Sequence, residues 1–177
     1  MTDWIGHRCA DHKIDPATET LIIGTFNPDT KSNLADFFYG RSRNHLWDIL
    51  PGVLNAGGSL KGKTKEEKLQ FIRAKHIDFI DLIWAIGSEP PDYSDKHLDR
   101  MKEIRWREDI IDQIGKLKNL KRVCISRKGF ADVPAIRNKV RVIAEYLKDR
   151  PVVFRCVHSP ARGLRKARDE WKEFLTT

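Results

Sequence analysis

The chain has 177 residues, 40% hydrophobic and 33% charged, the balance of an ordinary globular domain and not of a fibrous or low-complexity protein. Its net charge of +8 is uneven, since residues 116–177 hold 17 Lys/Arg against 6 Asp/Glu while residues 1–115 hold 16 against 19. No apolar run approaches the roughly 20 residues that cross a bilayer, and three cysteines are too few for a disulfide framework or a four-thiolate cluster.

The opening MTDWIGHRCADH lacks the apolar stretch of a secretory signal, so a cytoplasmic protein is expected. It brings His7, Cys9 and His12 together, but structural zinc takes four ligands and no CxxC pair follows. No metal is therefore expected. TLIIG (20–24) reads as a first buried strand, followed by a long loop over 25–43. NHLWDIL (44–50) is a short helix, and TKEEKLQFIRAKH (64–76) a longer one whose Thr64 and Glu67 have capping-box spacing. IDFIDL (77–82) is a second strand, followed by a long polar connection over 84–106. A helix at 107–117, a strand at 122–126, a helix at 135–150, a strand at 151–157 and a closing helix from 163 complete the chain. Cys124 and Cys156 lie inside apolar strand runs and read as core residues. Continuous apolar strands alternating with helices predict a three-layer α/β/α sandwich around a four-stranded parallel sheet, one domain over residues 1–177.

In such sheets ligands bind beyond the carboxyl ends of the strands, and three clusters should gather there. In GTFNPDT, Gly24 permits a sharp turn, Pro28 fixes the exit, Phe26 offers a flat face and Asn27 both a donor and an acceptor. The same residues also suit a packed Phe and a plain Asn-Pro turn. FFYGRSRNHLW sets Phe37, Phe38 and Tyr39 before Arg41 and Arg43, residue types used together for base stacking and phosphate pairing. Asn44 there can serve as a helix cap or as a functional amide. In HSPARGLRK, Ser159 and the loop amides suit a phosphate, with Arg162, Arg165 and Lys166 beside it, and His158 can donate to a developing anion. Cations at a helix start oppose the helix dipole, so an anionic partner is expected to keep them there.

LIIGTFNP, FFYGRSRNHLW and HSPAR, in this order, resemble the uracil-DNA glycosylase superfamily, and within it the branch of hypoxanthine- and mismatch-type glycosylases. HIDFIDLIWAIGSEPPDYSDKHL (76–98) resembles that branch's middle segment, so the likeness spans most of the chain. It implies a monofunctional DNA N-glycosylase of base excision repair, a monomer acting on DNA without a cofactor, metal or membrane. The enzyme would flip a uracil, hypoxanthine or related base into its pocket and hydrolyse the N-glycosidic bond. Gly24, Thr25, Phe26 and Tyr39 would line the base pocket. Arg41, Arg43, Ser159, Arg162, Arg165 and Lys166 would bind phosphates, and His158 would stabilise the departing base.

The water-orienting residue has two candidates. Aligned on the glycine, Phe26 takes the usual position and Asn44 becomes the candidate; aligned on the proline, Asn27 keeps the role. The wedge that fills the vacated base stack falls on Ala161 or Arg162, neither a large apolar plug. With few carboxylates in these loops, the reaction is expected to run through the leaving group rather than through an activated water. Two rival readings are a catalytically silent nucleic-acid-binding protein of the same fold and an enzyme acting on free nucleosides. The basic last third argues against the second.

Overall fold

The computed structural model describes residues 4–161 and 164–177. Its main sheet has four parallel strands: β2 (Thr20–Gly24), β3 (Ile77–Asp81), β6 (Arg122–Ile125) and β7 (Val153–Cys156), in the order β3-β2-β6-β7. The helices are α1 (Leu46–Val53), α2 (Lys65–Ala74), α3 (Asp95–Asp99), α4 (Ile110–Lys116), α5 (Pro134–Leu147) and α6 (Leu164–Thr176). Strand side chains alternate between faces. Ile22, Phe79 and Cys124 therefore meet α1, α2 and α6 in one core, while Leu21, Ile23, Ile80, Val123 and Ile125 meet α4 and α5 in the other. The predicted three layers follow from that two-sided burial.

The predicted capping box of α2 is present. The Thr64 hydroxyl accepts from the Glu67 amide at 3.2 Å, and the Glu67 carboxylate accepts from the Thr64 amide at 2.9 Å. Buried Asp99, from α3, accepts the Ile136 amide at 2.6 Å and so serves the start of α5. Among the described residues no helix is long and apolar enough to cross a membrane.

The stretch 84–106 differs from its expected form as a plain connection. It contains most of β4 (Ile83–Ile86) and all of β5 (Ile104–Trp106), which join β1 (Ile5–Gly6) in a separate antiparallel sheet ordered β1-β4-β5. Beyond β1, the chain runs beside the turn after β2. The Arg8 amide donates to Asn27 O at 2.8 Å, the Asp29 amide to Gly6 O at 2.8 Å, and His7 bridges Pro28. The Asn-Pro turn is thus held from outside by the N-terminal segment.

Chain order reverses between β2 and β6, because β3 lies on one side of β2 and the later strands on the other. That reversal opens a crevice at the carboxyl ends of the strands.

Candidate active site

Gly24 ends β2 at this crevice, paired in register with Asp81 at the end of β3. A Cβ on Gly24 would run into Asp81 Oδ1 and come within 2.9 Å of the Tyr39 hydroxyl. Glycine is required here by that close approach, because the two oxygens leave no room for a side chain. Tyr39 takes a positive φ of 54°, unusual for a residue with a side chain. Its hydroxyl donates to Ser126 Oγ at 2.7 Å, spanning the crevice from the loop after β2 to the end of β6. Burial, and then the Asp81 carboxylate, push the Tyr39 phenol well above its usual pKa, so it stays protonated.

Asp81 is only 5% exposed. Its Oδ2 meets His7 Nε2 at 2.7 Å, and His7 Nδ1 accepts the Cys9 amide at 3.0 Å. An Nδ1 that accepts carries no proton, so Nε2–H donates to Asp81. No residue at this position was foreseen as functional. The signal lay in IDFIDL, where a carboxylate closes a strand at the ligand-binding edge.

The two candidate asparagines differ in their surroundings. Asn27 is buried, its Oδ1 accepts from Asn33 Nδ2 at 2.7 Å, and its Nδ2 points to Phe37 O at 3.5 Å and Cys9 Sγ at 3.9 Å. It holds the loop from inside. Asn44 is half-buried, its Oδ1 accepts the Leu46 amide at 2.9 Å to start α1, and its Nδ2 has no protein partner among the described residues. The next residue, His45, donates its amide to Pro160 O at 3.1 Å, which ties the Asn44 segment to the loop carrying His158 and Ser159. Those two motifs, more than a hundred residues apart, do meet.

His158 is held at two points by α6. Glu170 Oε2 accepts its backbone amide at 2.9 Å and contacts its Nδ1 at 2.6 Å. Burial works to raise the Glu170 carboxyl, but hydrogen bonds from Lys128 and from the His158 amide and ring outweigh it and bring the pKa down to about 2. An ionised Glu170 keeps a proton on Nδ1 and leaves Nε2 as the nitrogen available to a ligand. Half-exposed Ser159 accepts the Ala161 amide at 3.3 Å.

Phe37 and Phe38 correct the expectation of stacking aromatics. Both are buried, packed with Phe79 and, for Phe37, with Trp47 as well, and are core filling. Phe26 is largely packed against Ile83, Ile86 and Leu98, with Tyr93 6.3 Å from its ring centre. Thr25 is half-buried, and its carbonyl accepts the Ile83 amide at 3.0 Å.

Arg41 lies over the Tyr93 ring at 5.5 Å and lines a cleft of about 310 Å³ with Pro28, Asn33, Leu34 and Gly40. Arg43, Arg165 and Lys166 are exposed. None of these four cations forms an ion pair among the described residues, and Arg162 lies outside the described residues.

The His7, Cys9 and His12 group does not face a common centre. His7 binds Asp81, His12 binds Asp78 at 2.7 Å, and burial, with Asp81 next, pushes the Cys9 thiol up to about 12. Among the described residues no group of three His, Cys, Asp or Glu side chains could hold a metal ion.

No protein-family model matches the chain, and no curated protein matches it in sequence. Among solved structures it is similar to the solution NMR structure of a protein from Methanosarcina acetivorans named "putative Uracil DNA glycosylase". The two share 16% identity over 92% of this chain and 91% of that chain, with a TM-score of 0.60. The likeness is one of fold.

Proposed function

We propose that the protein is a monofunctional DNA glycosylase that hydrolyses the N-glycosidic bond of a flipped, damaged base. The observation that carries the reading is the meeting of the Asn44 segment with the His158–Ser159 loop at the crevice, with cations nearby in sequence that have no acidic partner among the described residues. The shared fold with a protein named as a glycosylase supports it, and the motifs at 37–47 and 157–161 favour the hypoxanthine- and mismatch-type branch.

Gly24, Thr25, Phe26 and Tyr39, at the crevice, are assigned to the base. The glycosidic bond stretches, the sugar gains positive charge and the base departs with the electron pair. His158, whose Nδ1–H is held by Glu170, stabilises the departing base from Nε2 when the ring carries both protons. Between the two asparagines, Asn44 is assigned the water, because the Asn27 amide is already engaged inside the loop. Arg41, Arg43, Ser159, Arg165 and Lys166 take the DNA phosphates.

The test is base release from short duplexes that carry one uracil, hypoxanthine, xanthine or mismatched thymine, with abasic sites revealed by alkali. Release at one lesion, lost in Asn44→Ala and kept in Asn27→Ala, supports both the activity and the assignment. A second reading, a nucleic-acid-binding protein without activity, is favoured by one observation: the Asn44 oxygen already accepts the Leu46 amide. Salt-sensitive DNA binding with no abasic site at any lesion would decide for it.

A further inference from the structure

β3 is the outer strand of the main sheet, and among the described residues no strand pairs with its far edge. The N-terminal segment covers that edge through side chains instead. Asp78 Oδ1 meets His12 Nε2 at 2.7 Å, and Asp78 Oδ2 accepts the Asp15 amide at 2.8 Å. Between this segment, β3 and α4 lies a cavity of about 300 Å³. Buried Phe38, Phe79 and Ile80 form its apolar part, and Lys13, Arg107 and Gln113 line it with nitrogen donors.

Half-buried Arg107 is fixed in place without a counter-charge. Its Nε donates to Asp81 O at 3.2 Å, and its guanidinium lies over the Trp84 ring at 4.4 Å. Its two terminal nitrogens donate to nothing among the described residues, and it forms no ion pair there. Burial presses its pKa below the usual value, against the pull of the Asp109 and Asp81 carboxylates, so the cation is partly stripped of water. Exposed Lys13 has no hydrogen bond or ion pair among the described residues either. Gln113 Nε2 gives one of its two hydrogens to Asp109 Oδ2 at 2.9 Å and keeps the other. A desolvated cation is costly until an anion meets it. The guanidinium fork beside an ammonium suits an oxyanion with several acceptors, and the volume leaves room for the small body that carries it.

We propose that this cavity is a second ligand site that takes a sugar phosphate, with the phosphate monoester on Arg107 and Lys13 and a sugar hydroxyl on Gln113. The source is a free sugar phosphate or the 5′-phosphate end of a DNA strand. None of these residues is assigned to the crevice, so the site does not depend on the glycosylase reading.

The test is calorimetric titration of the full chain with ribose 5-phosphate, and with ribose beside it. Ribose 5-phosphate should saturate one site and ribose should not bind. Arg107→Gln should weaken binding about tenfold or more, the worth of a hydrogen bond to a charged group. Lys13→Glu, at an exposed residue that holds nothing in the fold, should do the same by reversing the charge, whereas Lys13→Arg should stay within about threefold of wild type. A single-stranded oligonucleotide with and without a 5′-phosphate separates the two sources. Tighter binding of the phosphorylated strand, lost in Lys13→Glu, assigns the site to a strand end; equal binding of the two strands assigns it to the free sugar phosphate. Wild-type protein that binds neither ribose 5-phosphate nor the strand's 5′-phosphate overturns the proposal. Binding that Lys13→Glu leaves intact, or that Arg165→Ala abolishes, overturns it as well, because the phosphate then lies elsewhere. Base release plays no part in these measurements, so loss of the glycosylase reading would leave their outcome unchanged.

Discussion

The two walls of the crevice are built differently. On the β3 side, His7 holds Asp81 at 2.7 Å, and beside Gly24 the Tyr39 hydroxyl is held by Ser126 at 2.7 Å. On the β7 side, about 14 Å away by three strand spacings, His158 is held by Glu170, and exposed Arg165 and Lys166, early in α6, have no acidic partners among the described residues. A rigid, desolvated wall discriminates, because an unmet group there is expensive. A solvated, cationic wall attracts a polyanion without reading it. On the proposed reading, one side takes the base and the other takes the DNA backbone and the departing group.

The largest effect should come from Asn44→Ala, with base release falling on the order of 10²–10⁴-fold, the range of a lost positioning or proton-transfer group. Its melting temperature should move by only a few degrees, for loss of a helix-start hydrogen bond worth about 1 kcal/mol. Asn27→Ala should do the reverse, because it strips a partner from Asn33 inside the loop and costs about 1–3 kcal/mol of stability. If both variants lose activity and neither loses stability, the distinction between the asparagines fails. On the packed wall, Gly24→Ala should destabilise by about 1–3 kcal/mol through its collision with Asp81. Gly129→Ala, with nothing within 4 Å of the added carbon, should leave the thermal midpoint nearly unchanged.

Glu170→Gln tests the other wall more gently. Activity should fall about tenfold, less than the 10²–10⁴-fold a general acid itself contributes, since His158 stays in place but loses its ionised orienter. The sign of its effect on stability follows from the depressed carboxyl. In the folded protein Glu170 titrates at about 2 rather than 4.5, so the unfolded chain binds the proton first. The stabilisation is full above pH 4.5 and is lost as pH falls from there toward 2. Wild type should therefore lose more stability over that window than the Gln variant in denaturant titrations. Parallel curves would remove Glu170 from the account of how His158 is held.

The basic wall was legible in the sequence and most of the packed wall was not. Charge counts along the chain and the HSPAR motif point to residues 158–166, because exposed cations need no packing to be recognised. The four parallel strands were equally plain as apolar runs, and for β2 and β3 the burial on both faces that such runs mean is what the fold shows, while β7, at the sheet edge, is only partly covered. By contrast IWAI and IRW are too short for alternation to register, and β1 has two residues, so the second sheet stayed hidden within 84–106. Phe37 and Phe38 were misread because aromatics beside arginines look alike in a core and on a base-binding surface. Asn27 and Asn44 could not be separated because which amide is spent depends on Asn33 and Leu46, contacts that only folding creates.

The smallest effect is the one that confines the basic wall to binding. Arg165 and Lys166 are exposed and touch no acid among the described residues, so each Ala substitution should leave melting unchanged. If each contacts one phosphate, the slope of log affinity for duplex DNA against log salt should become shallower by about 0.9 per residue removed. A slope unchanged in the double variant would move the DNA track to Arg41 and Arg43, on the loop that also carries Tyr39. Binding and selection would then share one wall, and the division between the two sides of the crevice would be lost.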